Sequence, residues 1–260
     1  PEYMSISLKG KRMLYKHELM MLEMLANTNW ERPIYMAITV GQENHLNLGD
    51  NFMQEGLAYR ITPFNTTKLN ARIDSEKMYD NLMHKFKFGG IDKDDIYLDE
   101  TVMRMAQTHR RMFVQVASQL IKEGKNEKAL KALDYCQQVI PSKNVAHDYI
   151  MSSSKEMADD YIALGEYAKA EAILDELGNK AVEYITWYMS LDDERLALSY
   201  DNCIRNFYIL DEINKSLERI TALKTGQPEG EMTVSSEMEE HYAKKFNELY
   251  DMFNVRVGRK

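Results

Sequence analysis

Among the side chains that could do chemistry, the histidines are the natural first test. His17, His45, His84, His109, His147 and His241 are scattered, with no HxH or HxxxH spacing. No single helix or strand can therefore present two imidazoles to one metal ion, and no metal or cofactor site is expected. Cys136 and Cys203 lack CxxC spacing and fall at apolar helical positions, which predicts buried thiols rather than a reactive pair. The carboxylate pairs Asp159 with Asp160 and Asp192 with Asp193 are adjacent in sequence. On a helix such neighbours point about 100° apart, so solvated surface is the better reading than an acid–base pair. The patterns GxSxG, GxxxxGK[ST] and GxGxxG are absent, leaving nucleophilic hydrolysis and nucleotide binding without local support. No catalytic residue is assigned.

Two further groups could bind rather than react. Lys9, Lys11 and Arg12 lie between a first predicted strand and a first predicted helix, where open N–H groups and the helix dipole favour an anion, lipid phosphate included. The plainer reading is a polar turn. Trp30 and Arg32, in the string Trp30-Glu31-Arg32-Pro33, could contact a sugar or a partner. The plainer reading makes Trp30 a core anchor at the entrance to a strand. The 18 methionines suit adaptable core packing or a soft peptide groove.

The elements that must position these residues divide the chain. Residues 3–8 alternate as a strand, 14–26 carry one apolar stripe (Leu14, Leu19, Met21, Leu22, Leu25) at helical spacing, and 34–40 read as a buried central strand. Together they predict a parallel βαβ unit. A short helix at 48–53, a strand at 57–61 and a connecting helix at 74–88 complete a small α/β module assigned to residues 1–95. Residues 96–260 read as helical. Val102, Ala106, His109, Phe113, Val116, Ala117 and Leu120 mark one long amphipathic helix. Ala129, Ala132, Leu133, Cys136 and Ile140 mark the next, stopped by Pro141. Tyr161, Ile162 and Leu164, then Ala170, Ile173, Leu174 and Leu177, repeat the pairing. A still longer helix, capped by Ser190, runs past Ile220 to Gly226 and Pro228. After a linker at 225–236, Ser236 and Glu239 form a capping-box signal for the last helix. The fold class expected is mostly α, a small α/β module followed by a helical array.

Composition bounds the function. With 260 residues, 44% of them hydrophobic, the chain can bury a sizeable core, and none of its apolar runs approaches the length needed to cross a bilayer. The net charge of −8 is evenly spread, which disfavours nucleic acid and anionic lipid as main partners, since phosphate binding needs a concentrated basic face. The start at Pro1 and the lack of a secretory signal suggest a piece of a longer protein.

Two resemblances follow. Gly124, Ala129 and Pro141 have the spacing of a tetratricopeptide repeat, in which small residues allow close helix approach and proline turns the chain. Gly165 and Ala170 repeat it in part, but Val182 stands where proline would, and the 41-residue step from Ala129 to Ala170 predicts an intervening helix longer by about two turns. The strings Asn29-Trp30-Glu31-Arg32-Pro33-Ile34-Tyr35, Glu55-Gly56-Leu57-Ala58-Tyr59-Arg60-Ile61-Thr62-Pro63 and Met78-Tyr79-Asp80-Asn81-Leu82-Met83 are more specific. With the helical repeats after them, they are similar to the soluble C-terminal region of a family of large bacterial protein O-mannosyltransferase-like membrane proteins. That resemblance implies a periplasmic accessory domain downstream of a membrane-embedded transferase region, itself no enzyme, that contacts a protein or peptide partner. None of that family's catalytic acidic residues is carried onto this sequence. A free-standing tetratricopeptide-like peptide scaffold is the alternative, and an independent enzyme in the α/β module the third reading.

Overall fold

The computed structural model describes residues 4–226 and 235–258. Tyr3 of the first predicted strand and Pro228 of the predicted linker lie outside them. The chain divides into two compact units, residues 1–89 with 122–125, and residues 90–121 with 126–260. Among the described residues the chain is mostly helical, with one small sheet near the N-terminus.

In the first unit, helix α1 spans Lys16–Asn27. Strands β1 (Tyr35–Ala37), β2 (Phe52–Gln54) and β3 (Ala58–Ile61) form a sheet of order β1-β3-β2, antiparallel throughout. The predicted βαβ unit is therefore corrected. Residues 4–8 are extended but unpaired, yet Met4 and Ile6 still pack on the core formed by Leu25, Leu46, Leu48, Phe52 and Ile61. Burial of alternate side chains gave a strand-like pattern that no neighbouring backbone completes. The predicted central strand at 34–40 is a three-residue edge strand. Ile34 and Met36 feed the core while Tyr35 and Ala37 face outward, so the run is apolar on both sides without being buried on both. The predicted helix at 48–53 is one 3₁₀ turn followed by β2, because the outer edge of β2 is claimed by a distant loop. Gln54 N–H donates to Arg72 O at 2.8 Å, and Thr66 Oγ1 donates to Phe52 O at 2.7 Å. Gly56, at φ +126°, makes the tight β2–β3 turn that other residues rarely adopt.

Helix α2 (Ser75–Asp80) starts where Asp74 accepts the Lys77 N–H at 3.1 Å. It widens into a π turn over residues 81–85 and ends at Phe86, earlier than predicted. Asn81, first in the wide turn, donates its side-chain amide to Glu55 O at 2.7 Å.

The second unit contains α3 (Glu100–Lys122), α4 (Asn126–Val139), α5 (Ser154–Ala163), α6 (Tyr167–Ser190), α7 (Asp193–Leu198), α8 (Tyr200–Thr225) and α9 (Glu237–Val257). Their apolar stripes meet: Phe113, Val116 and Leu120 of α3 with Ala132, Leu133 and Cys136 of α4 are all fully buried, and α6 packs on both α5 and α8. Ala129 and Ala170, the small residues of the repeat spacing, are fully buried. Gly178 lets α9 lie close on α6, since a Cβ there would stand 2.5 Å from the Tyr242 ring. Several expectations change here. The extra residues between Ala129 and Ala170 are not helix; they form a loop at 140–153, and α5 has only 10 residues. The long helix expected from Ser190 begins instead at Asp192, whose side chain accepts the Arg195 N–H at 2.9 Å, and it breaks at Ser199. Inside α3 the buried residue is Arg110, not His109.

Candidate functional site

A concavity of the helical unit runs along α6. It encloses about 850 Å³ and is lined by Ala146 and by Asp175, Glu176, Asn179, Glu183 and Trp187, among other α6 residues. Two constraints build it. The first is the loop at 140–153, which supplies Ala146 and is tied from beneath by Arg110. This fully buried guanidinium donates to the carbonyl oxygens of Ile140, Val145 and Ala146 at 2.9, 2.5 and 3.2 Å. Burial lowers its affinity for a proton, but an arginine so bonded remains a cation. The planar fork suits three converging carbonyls, which the C-terminus of α4 and the loop would otherwise leave unpaired.

The second constraint is a buried polar cluster at the end of that loop. The His147 N–H donates to Glu176 Oε1 at 2.7 Å, and His147 Nδ1 lies 2.8 Å from Ser154 Oγ, which is 2.7 Å from Ser152 Oγ. Asp148 accepts the N–H groups of Ile150 and Met151 at 2.9 and 2.6 Å. Burial, then the charges of Arg110 and Lys180, pull the His147 imidazole down to about 3, so it is neutral at ordinary pH. The contact resembles a serine–histidine pair, but both side chains are buried and spent on holding the loop.

On the open side Trp187 and Tyr184 are exposed, and Tyr184, Trp187 and Tyr188 form a run of ring contacts, 4.8 Å between Trp187 and Tyr188. Asp175 accepts the Tyr242 hydroxyl at 2.7 Å and Glu176 accepts the His147 N–H. Neutral donors orient these two carboxyl groups, and Glu183 faces solvent. Lys180 stands 3.5 Å from Asp148. The groove is thus aromatic and acidic, suited to an extended chain carrying Lys or Arg.

The first unit has a different cavity, about 620 Å³, lined by His45, Asn47, Asp50, Gln54, Tyr59 and Arg72 among others. Several of these groups hold the fold around it. His45 Nε2 is 2.9 Å from Val40 O, Asn47 Nδ2 donates to Ser7 O at 2.7 Å, and Asp50 accepts Thr67 Oγ1 at 2.9 Å. Nearby, buried Glu55 accepts the Tyr35 hydroxyl at 2.8 Å and pairs with Lys77 Nζ at 2.5 Å and Arg60 Nε at 2.6 Å. The Arg60 contact lacks hydrogen-bond alignment and is a pure charge contact. Glu55, and then Tyr35, raise the Lys77 ammonium above its usual range.

Of the binding candidates read from sequence, Lys11 is committed to buried Glu18, the acid at the start of α1, whose other oxygen accepts the Tyr15 N–H at 2.9 Å. Lys11 and then Tyr15 hold the Glu18 carboxyl below its usual range. The anion at this helix start is the chain's own, while Lys9 and Arg12 face solvent. Trp30 is not the core anchor expected: it is 38% exposed in a turn at φ +60°, with Arg32 exposed beside it. Cys136 and Cys203 are buried and unpaired, and burial pushes their thiols up to about 12 and about 11. Among the described residues no cluster of metal-binding side chains forms, and no helix is long and apolar enough to cross a membrane. Arg110 and the 140–153 loop carry the groove but were missed in the sequence; the signal was an arginine at stripe spacing in α3, four residues after Ala106 and three before Phe113.

Residues 1–78, which include the whole sheet, match the family model described as TMEM260-associated domain 2. No curated protein and no solved structure matches the chain.

Proposed function

We propose that this chain is a non-catalytic, periplasmic accessory domain of a protein O-mannosyltransferase-like membrane protein, and that its tetratricopeptide-like helical unit holds an extended partner or acceptor polypeptide along α6. The match of residues 1–78 to a TMEM260-associated domain supports the first half, together with the three strings that resemble the bacterial family. The observation that carries the second half is the groove itself, lined by exposed Trp187 and Tyr184 together with the carboxyl groups of Asp175, Glu176 and Glu183. Large rigid rings provide contact area at small entropic cost, and the acids favour a segment with Lys or Arg.

Fluorescence anisotropy with labelled, unstructured peptides of basic, neutral and acidic composition tests the reading. Basic peptides are expected to bind best, and Trp187→Ala with Tyr184→Ala to weaken them by about 10- to 100-fold, equivalent to roughly 1.4–2.8 kcal/mol. No binding by any peptide, or unchanged affinity in the double variant, would sink it.

A further inference from the structure

The outer face of α1 carries Leu19, Met20 and Met24 among its polar residues, where a surface helix is usually polar throughout. Positions 16, 19, 20, 23, 24 and 27 form one stripe at helical spacing, and it points to solvent, whereas Met21, Leu22 and Leu25 face the core. Leu19, predicted on the inner stripe, lies on this outer one, and Leu19, Met20 and Met24 are each more than half exposed. Just before the helix, Met13 and Tyr15 are also more than half exposed.

The charges around this face have one sign where it begins. Residues 4–17 contain Lys9, Lys11, Arg12 and Lys16 and no carboxylate, in a chain whose net charge is −8. Lys11 is spent on Glu18, which fastens the segment to α1; Lys9, Arg12 and Lys16 are exposed. The segment is held on its other side as well, since Asn47 Nδ2 donates to Ser7 O at 2.7 Å. Glu23 is the acid on the outer stripe, at the far end from the cations, and it accepts the Asn27 side-chain amide at 2.9 Å.

Exposed Met, Leu and Tyr side chains beside exposed cations match the interface of a bilayer, where apolar side chains enter the headgroup boundary and cations meet lipid phosphates and carboxylates. We infer that the face formed by α1 and residues 8–16 docks on an anionic membrane surface. The occupant is a lipid surface because the cations gather at the edge of the apolar stripe: a purely apolar protein partner would leave three ammonium or guanidinium groups uncompensated at its rim.

Co-sedimentation of the whole chain with phosphatidylcholine vesicles, and with vesicles containing about 30% phosphatidylserine, tests this. The wild type should bind the anionic vesicles and be released by high salt, a readout that needs no variant. The triple change Lys9→Glu, Arg12→Glu and Lys16→Glu should weaken partitioning by roughly 100-fold or more. Met20→Ser with Met24→Ser should weaken it by roughly tenfold. All five positions are exposed, so circular dichroism should be unchanged. Equal binding to neutral and anionic vesicles, insensitivity to salt, or variants that partition like the wild type would overturn the inference. So would a wild-type dimer that Met20→Ser with Met24→Ser dissociates, which would assign the face to a second copy of this chain.

Discussion

Glu55 in the N-terminal unit and Arg110 in the helical unit are both buried charges, but their surroundings differ in kind. Glu55 is 4% exposed and meets two cations, Arg60 and Lys77, whose side chains are 33% and 42% exposed. Among the described residues Arg110 has no ion pair; its partners are the buried Cys136 thiol and three neutral carbonyl groups of one loop, with Glu176 and Asp148 acting on it from farther off. The difference lies in what is left behind when the charge is removed. The partners of Glu55 can turn into water, whereas the carbonyls freed by loss of Arg110 are fixed by backbone and stay dry. A buried charge is most costly to remove when its partners cannot move.

The sharpest way to break this comparison is Arg110→Met. It is expected to destabilise the chain by about 3–5 kcal/mol in urea titration, with Arg110→Lys recovering less than half, because one ammonium cannot serve three carbonyls in a fork. A loss below that of Glu55→Gln would refute it. Next is pH. The imidazole of His147 is held near 3 when folded, against 6.5 for an unperturbed histidine. As pH falls below 6.5 the unfolded chain takes up the proton first. Stability is therefore complete above that value and declines towards pH 3, by about 3 kcal/mol at pH 4.5. His147→Gln should flatten that part of the stability-versus-pH curve, and an unchanged slope would assign the effect elsewhere. Glu55→Gln should cost about 1–2 kcal/mol, since Lys77 and Arg60 keep access to water. Trp187→Ala, smallest of all, should shift stability by less than about 0.5 kcal/mol, which separates a binding surface from a core.

Much of the helical unit was legible because its signals are local. Ser236 and Glu239 form the expected capping box, with Glu239 N–H donating to Ser236 Oγ at 3.2 Å. Gly124, Gly165 and Gly226 end their helices at φ +74°, +80° and +70°. Cys136 and Cys203 are buried as their stripe positions implied. The misreadings share a cause: a side chain's role was set by a partner distant in sequence. The run at 34–40 looked like a central strand because Tyr35 counts as apolar, yet its hydroxyl serves Glu55. Leu19 looked like a core residue because its spacing fits either face of α1. Arg110 gave no sign of burial because charge is normally solvated, and the carbonyls that hold it lie 30 or more positions away. The groove was invisible for the same reason, since its loop wall is set by Arg110 and Glu176, which lie on two different helices.

By itself the sequence determined the helical character of the larger unit, the ends of most helices and the burial of the cysteines. Apolar periodicity, caps and stop residues act within a turn or two of chain. Only the tertiary structure decided the antiparallel sheet order, the loop that replaces a longer helix, the face α1 turns outward and the groove along α6. Each of these depends on which distant group satisfies a buried donor, acceptor or charge, and that choice is made by packing in three dimensions.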